Sequence, residues 1–159
     1  RYPAVNPIDS YSKYLEYPEI REYLNETIMP GWVEMVERAK NIVRKGKEAN
    51  DQINILGDDG VPMSYHEIFW KSELLDFVIL QQDAFDDIDA LCPIERQKYM
   101  LELVMGICER DFTFEDFEEC RNYFKELINA LRQMNYSEFQ SERFYENQEK
   151  LNNLLSNGK

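Results

Sequence analysis

Phe77-Val78-Ile79-Leu80-Gln81-Gln82-Asp83-Ala84-Phe85-Asp86-Asp87-Ile88-Asp89 is the stretch on which the reading of this chain turns. It closes a dense apolar segment that runs from about Tyr65 to Gln82 and includes Ile68, Phe69, Trp70, Leu74, Leu75, Phe77, Val78, Ile79 and Leu80. Apolar residues so closely spaced exceed the single stripe of a surface helix, so the sequence predicts a central helix buried on most sides. Ser64-Tyr65-His66-Glu67 reads as a capping box at its start. Two amides, a phenylalanine and four aspartates then end it, an ending that a helix filling only a core does not need.

Working outward, Gly57-Asp58-Asp59-Gly60-Val61-Pro62 is a break. Before it, Trp32, Met35, Ala39, Ile42, Gly46, Ala49, Ile53 and Leu56 recur at steps of three and four, one stripe on a helix from Gly31 to Leu56. Ala39, Gly46 and Ala49 are small enough to admit a close neighbouring helix. Further upstream, Pro3, Pro7 and Pro18 predict an extended entry over residues 1–18, with a short helix from Glu19 to Thr27.

Downstream, Cys92-Pro93 opens a helix with Ile94, Leu101, Val104, Met105 and Cys108 inside. Thr113-Phe114-Glu115-Asp116 opens the next, with Phe117, Cys120, Phe124, Leu127, Leu131 and Met134 on its inner face. Ser137-Glu138 opens the last, around Phe144, Leu151, Leu154 and Leu155. No β pattern or internal repeat interrupts this order. The predicted fold class is all-α: a bundle of five to six helices over residues 19–159, behind the proline-containing entry segment 1–18.

Composition narrows the function. With 31 Asp and Glu against 18 Lys and Arg, the 159-residue chain carries a net charge of −13. That argues against a nucleic-acid surface, which needs clustered cations, and against docking on anionic lipid. No run approaches the ~18–20 apolar residues of a membrane-spanning helix. Cys92, Cys108 and Cys120 form no disulfide pattern and no C-x-x-C, and read as reduced, buried small hydrophobes. A zinc site would need all three and the only histidine, His66, which reads as polar surface. The chain opens on Arg1 without a signal-peptide pattern and is read as a piece of something longer.

No active site emerges from the residues themselves. The aspartate cluster lacks the order of a calcium loop and reads as a solvated or helix-start patch, with no metal. No G-x-x-x-x-G-K-[ST] is present to cradle a triphosphate. Phe85 has two readings. It is a hydrophobic staple folding back on its helix, or a flat apolar face offered to a flat ligand or partner, with Gln82 meeting a polar edge.

At this point four motifs in order carry a resemblance. Tyr2-Pro3-Ala4-Val5-Asn6 with Ser10-Tyr11-Ser12 resembles the "(H/Y)-P-A-I-N-W…S-Y-S" segment of the catalytic A subunit of V-type and archaeal A-type rotary ATPases. Residues 56–62 resemble its "L-V-G-x-D-A-L-P" turn. Leu80-Gln81-Gln82-Asp83-Ala84-Phe85 resembles its "L-Q-Q-N-A-F", and Cys92-Pro93-Ile94-Glu95-Arg96-Gln97 its "C-S-L-E-K-Q". Asp83 stands where the family has asparagine, and Pro7 where it has tryptophan.

The resemblance implies the C-terminal helical bundle of that subunit, with segment 1–18 leading in from a nucleotide-binding core. It implies that Phe85 and Gln82 line the adenine side of a site holding ATP or ADP with Mg in the full subunit. No catalytic residue and no bound cofactor are expected on this chain, and hydrolysis is expected to be absent from it alone. It also implies B subunits and a central shaft subunit as partners, with Asp86, Asp87 and Asp89 toward the shaft. The setting would be the cytoplasmic, peripheral part of a membrane-bound complex that couples ATP hydrolysis or synthesis to H+ or Na+ transport. The alternative is a stand-alone helical interaction module without enzymatic activity, anchored on a partner by Phe85.

Overall fold

Gly46 admits a close helix crossing. A Cβ built on it would lie 2.0 Å from Ser72 Cβ and 2.3 Å from Ser72 Oγ, so the two backbones meet where one of them has no side chain. The computed structural model describes residues 16–81, 87–90 and 93–157, with the side chains of residues 89 and 90 left aside. Among these it is all-α, with no strand. Six helices have ten residues or more: α1 Pro18–Thr27, α2 Trp32–Leu56, α3 Met63–Leu75, α5 Ile94–Cys108, α6 Phe117–Asn135 and α7 Glu142–Asn157. Between α3 and α5 lies the four-residue α4, Asp87–Ala90.

The predicted long helix and central helix form an antiparallel hairpin, α2 with α3, around Gly46 and Ala49. Gly31, at φ 79, starts α2 in the left-handed region where glycine costs least, and Asn25 Oδ1 accepts a bond from Val33 N at 3.0 Å. Arg21 pairs with Glu37 at 2.7 Å to lay α1 along α2. The main core lies on the other side of α3, where Leu74, Leu75 and Val78 meet Val104, Phe124, Leu131, Phe144 and Leu151. Burial on most sides of the central helix is therefore as its composition predicts.

Two helix starts differ from the sequence pattern. α3 begins at Met63, with Pro62 (φ −60, ψ 152) as its N-cap and no side-chain cap. Ser64 is thus already inside the helix, and its predicted capping box does not form. α7 begins at Glu142 rather than near Ser137. Ser137 is buried and donates to Gln133 O at 2.8 Å, prolonging the end of α6. The chain then turns through Gln140 (φ 63), and Ser141 Oγ accepts from Phe144 N at 3.2 Å. α6 starts at Phe117, directly after the quoted opening Thr113–Asp116: Asp116 accepts from Glu119 N at 2.8 Å, while Glu119 accepts from Glu115 N at 2.7 Å.

His66 also departs from expectation. It is buried, stacked on Phe117 at 5.5 Å, with Nε2 2.8 Å from Asp58 O, so it fastens the hairpin turn to α6. Cys108 and Cys120 are free and buried, as small hydrophobes. Burial pushes both thiols up to about 12, which keeps them protonated and unreactive at neutral pH. Cys92 lies outside the described residues, as does the entry segment up to residue 15.

Candidate functional site at the exit of the central helix

The central helix does not end as an ordinary α-helix. From Asp76 to Leu80 it widens into a π-turn, closed by Gln81 N to Asp76 O at 2.9 Å. Such turns are rare and concentrate at functional positions. Asp76 is buried and accepts from Gln81 Nε2 at 2.6 Å, which fixes the point where the chain leaves the helix in extended conformation.

A helix end leaves carbonyls without partners inside the helix. Three such ends converge here. Asn135, the last residue of α6, donates its side-chain amide to Val78 O in the π-turn at 2.9 Å. Arg96, 1% exposed on the first turn of α5, donates from Nη1 to Asn135 O at 2.9 Å and to Ile88 O, within α4, at 3.1 Å. A buried guanidinium requires acceptors, and helix C-termini supply both carbonyls and a favourable negative potential. Beside this node runs an open groove of about 800 Å³, lined by Asp87, Ile88, Tyr99, Glu102, Glu138 and Phe139 among others.

Of the predicted site residues, Asp87 and Asp89 are among those described. Gln82, Phe85 and Asp86 lie outside the described residues, between the two pinned points Gln81 and Ile88. Asp87 is exposed at the groove and opens α4, and Asp89 belongs to the same short helix. Arg96 and Asn135 were given no role from the sequence. A signal existed: Arg96 sits inside the quoted Cys92–Gln97 motif, and Asn135 follows directly on the last inward residue of a clean three–four pattern. Among the described residues no group of three or more His, Cys, Asp or Glu is placed to hold a metal ion. Nor is any described helix long and apolar enough to cross a membrane.

Among the described residues, the specialised feature of this all-α bundle is its pinned helix exit. The family model describing the C-terminal domain of V and A type ATP synthase matches residues 21–111, and the chain belongs to that family. It is 37% identical over 155 residues to the "V-type ATP synthase alpha chain" of Chlamydia abortus and to that of Chlamydia pneumoniae, and 36% identical to that of Chlamydia caviae. Each match covers 98% of this chain and 26% of the relative, so the chain spans about a quarter of the length of the curated relatives it matches.

Proposed function

We propose that this chain is the C-terminal bundle of the catalytic subunit of a V/A-type rotary ATPase and lines the adenine side of its nucleotide site. The observation that carries the reading is the 37% identity that runs over 98% of the chain to V-type ATP synthase alpha chains. In this reading Phe85 stacks on the base and Gln82 lines the same side. The phosphate and magnesium contacts come from parts of the subunit outside these residues. The bundle then works in the cytoplasmic, peripheral part of the complex, beside B subunits and a central shaft. There, hydrolysis or synthesis of ATP is coupled to transport of H+ or Na+.

The division of labour follows from chemistry. A base offers a flat π-face, and an aromatic ring grips it without acting on the phosphates. The test is Phe85→Ala in the complete subunit. Loss of one base–aromatic stack costs ~1–3 kcal/mol, roughly a 5- to 150-fold weaker nucleotide affinity, with turnover at saturation retained. Unchanged affinity would count against the adenine role.

A further inference from the structure

Resting on the reading of this chain as one part of a multi-subunit complex, we propose that the groove between α5 and the α6–α7 turn docks a lysine- or arginine-bearing segment of a neighbouring subunit. One wall is a single face of α5. Glu95, Tyr99 and Glu102 follow at steps of four and three, with Lys98 beside them, so they stack along one side of the helix. The other wall is the turn into α7, where Glu138 and Phe139 precede Gln140 (φ 63). Between the walls lies an open space of about 800 Å³. Its aromatic lining is held in place. The rings of Tyr99 and Phe139 lie 5.8 Å apart, and they pack on the buried Phe144 at 5.8 Å and 5.4 Å. Gln148 donates to the Tyr99 hydroxyl and fixes that ring further.

Charge selects the occupant. Glu95, Glu102 and Glu138 are exposed, and among the described residues none of them makes an ion pair. Arg96 also borders the groove, but its buried guanidinium is committed to the carbonyls of Asn135 and Ile88. Lys98 is the remaining cation among the described lining residues, set against those three carboxylates. Like charges gathered around one hollow repel, and a cation placed among them relieves the repulsion. The faces of Tyr99 and Phe139 favour the same ligand, because a cation over an aromatic ring is attracted to it, and a guanidinium can meet ring and carboxylate together. A second copy of this chain, at net charge −13, brings the wrong sign, as does any acidic partner. A bare metal ion fits poorly, since among the described residues no group of three or more His, Cys, Asp or Glu is placed to hold one.

The experiment puts the photoreactive amino acid p-benzoylphenylalanine at Gln140, on the groove lining, in the complete subunit. The assembled complex is illuminated and the attached peptide identified by mass. Attachment should run to a peptide of another subunit that carries several Lys or Arg and a net positive charge. With Glu95→Gln, Glu102→Gln and Glu138→Gln combined, which keep side-chain shape and remove charge, the yield should fall roughly fivefold or more. Attachment confined to this subunit, attachment to a neutral or acidic peptide, no attachment, or a yield unmoved by the three substitutions each overturns the proposal. Should the Gln140 variant fail to assemble, the same group at Lys98 reads the same groove with the same outcomes. If the unaltered subunit assembles with no other subunit, the rotary-complex reading fails and the docking cleft with it. If it assembles and the label meets no cationic segment, only the docking cleft fails.

Discussion

Gly46 and Ser72 show how much one side chain decides. The contact forces the backbone of α2 against α3, and the atom nearest a built Cβ is the Cβ of Ser72, which no rotamer change can move. Gly46→Ala gains about 1 kcal/mol of helix propensity but incurs overpacking of ~1–3 kcal/mol, and the upper part of that range applies because backbone must shift. We predict a net loss of about 1–2 kcal/mol in urea unfolding. Adding Ser72→Gly should restore most of it, and adding Ser72→Ala should not, since alanine keeps the offending Cβ. Rescue by alanine would place the strain in the hydroxyl instead.

The helices themselves separate what a sequence states from what packing decides. α2 was legible because one stripe at steps of three and four needs only a single buried face, and its small residues announced the close crossing. The π-turn at Asp76–Leu80 was not legible, because Val78, Ile79 and Leu80 are equally apolar in either register and the choice is made by Asn135 and Gln81. The exact caps were decided by packing. Asp116, the last residue of the opening Thr113–Asp116, caps α6, whereas Ser64 lost its place to Pro62 and Ser137 was drawn back onto Gln133. This gives a paired prediction: Ser141→Ala should cost about 1 kcal/mol of stability, and Ser64→Ala only a few tenths, by chemical denaturation. The reverse order would restore the capping box at Ser64. Phe85 and Gln82 stood out in the sequence as a possible stacking face, and the resemblance alone implied their adenine role; the contacts of Arg96 and Asn135 required the fold. A polar residue buried against three helix ends has the same local pattern as one facing water.

At the scale of the whole molecule, the hairpin has two unlike ends. From Met63 to Leu80 the central helix spans ~25 Å, so the exit that leads to Phe85 is far from the turn at residues 57–62. If Phe85 faces the base, Asp86, Asp87 and Asp89 belong to the nucleotide end. The opposite end presents Ile55 at 73% exposure, Leu56 at 56% and Tyr65 at 38%, next to Asp58 and Asp59. Under the proposed function, we propose that turn as the shaft contact in place of the Asp86–Asp89 run. A cysteine placed at Asp59 should crosslink to the central shaft in the assembled complex, and one at Asp87 should not. The opposite pattern returns the contact to Asp87. The central claim, that this bundle supplies the adenine side of a nucleotide site, is tested most directly by photolabelling. A base-substituted azido-ADP bound to the assembled complex and illuminated should attach to the segment between Gln81 and Asp87, identified by peptide mass, and attachment should fall when excess ADP is present. Label confined to other parts of the subunit, with none between Gln81 and Asp87, would contradict the account.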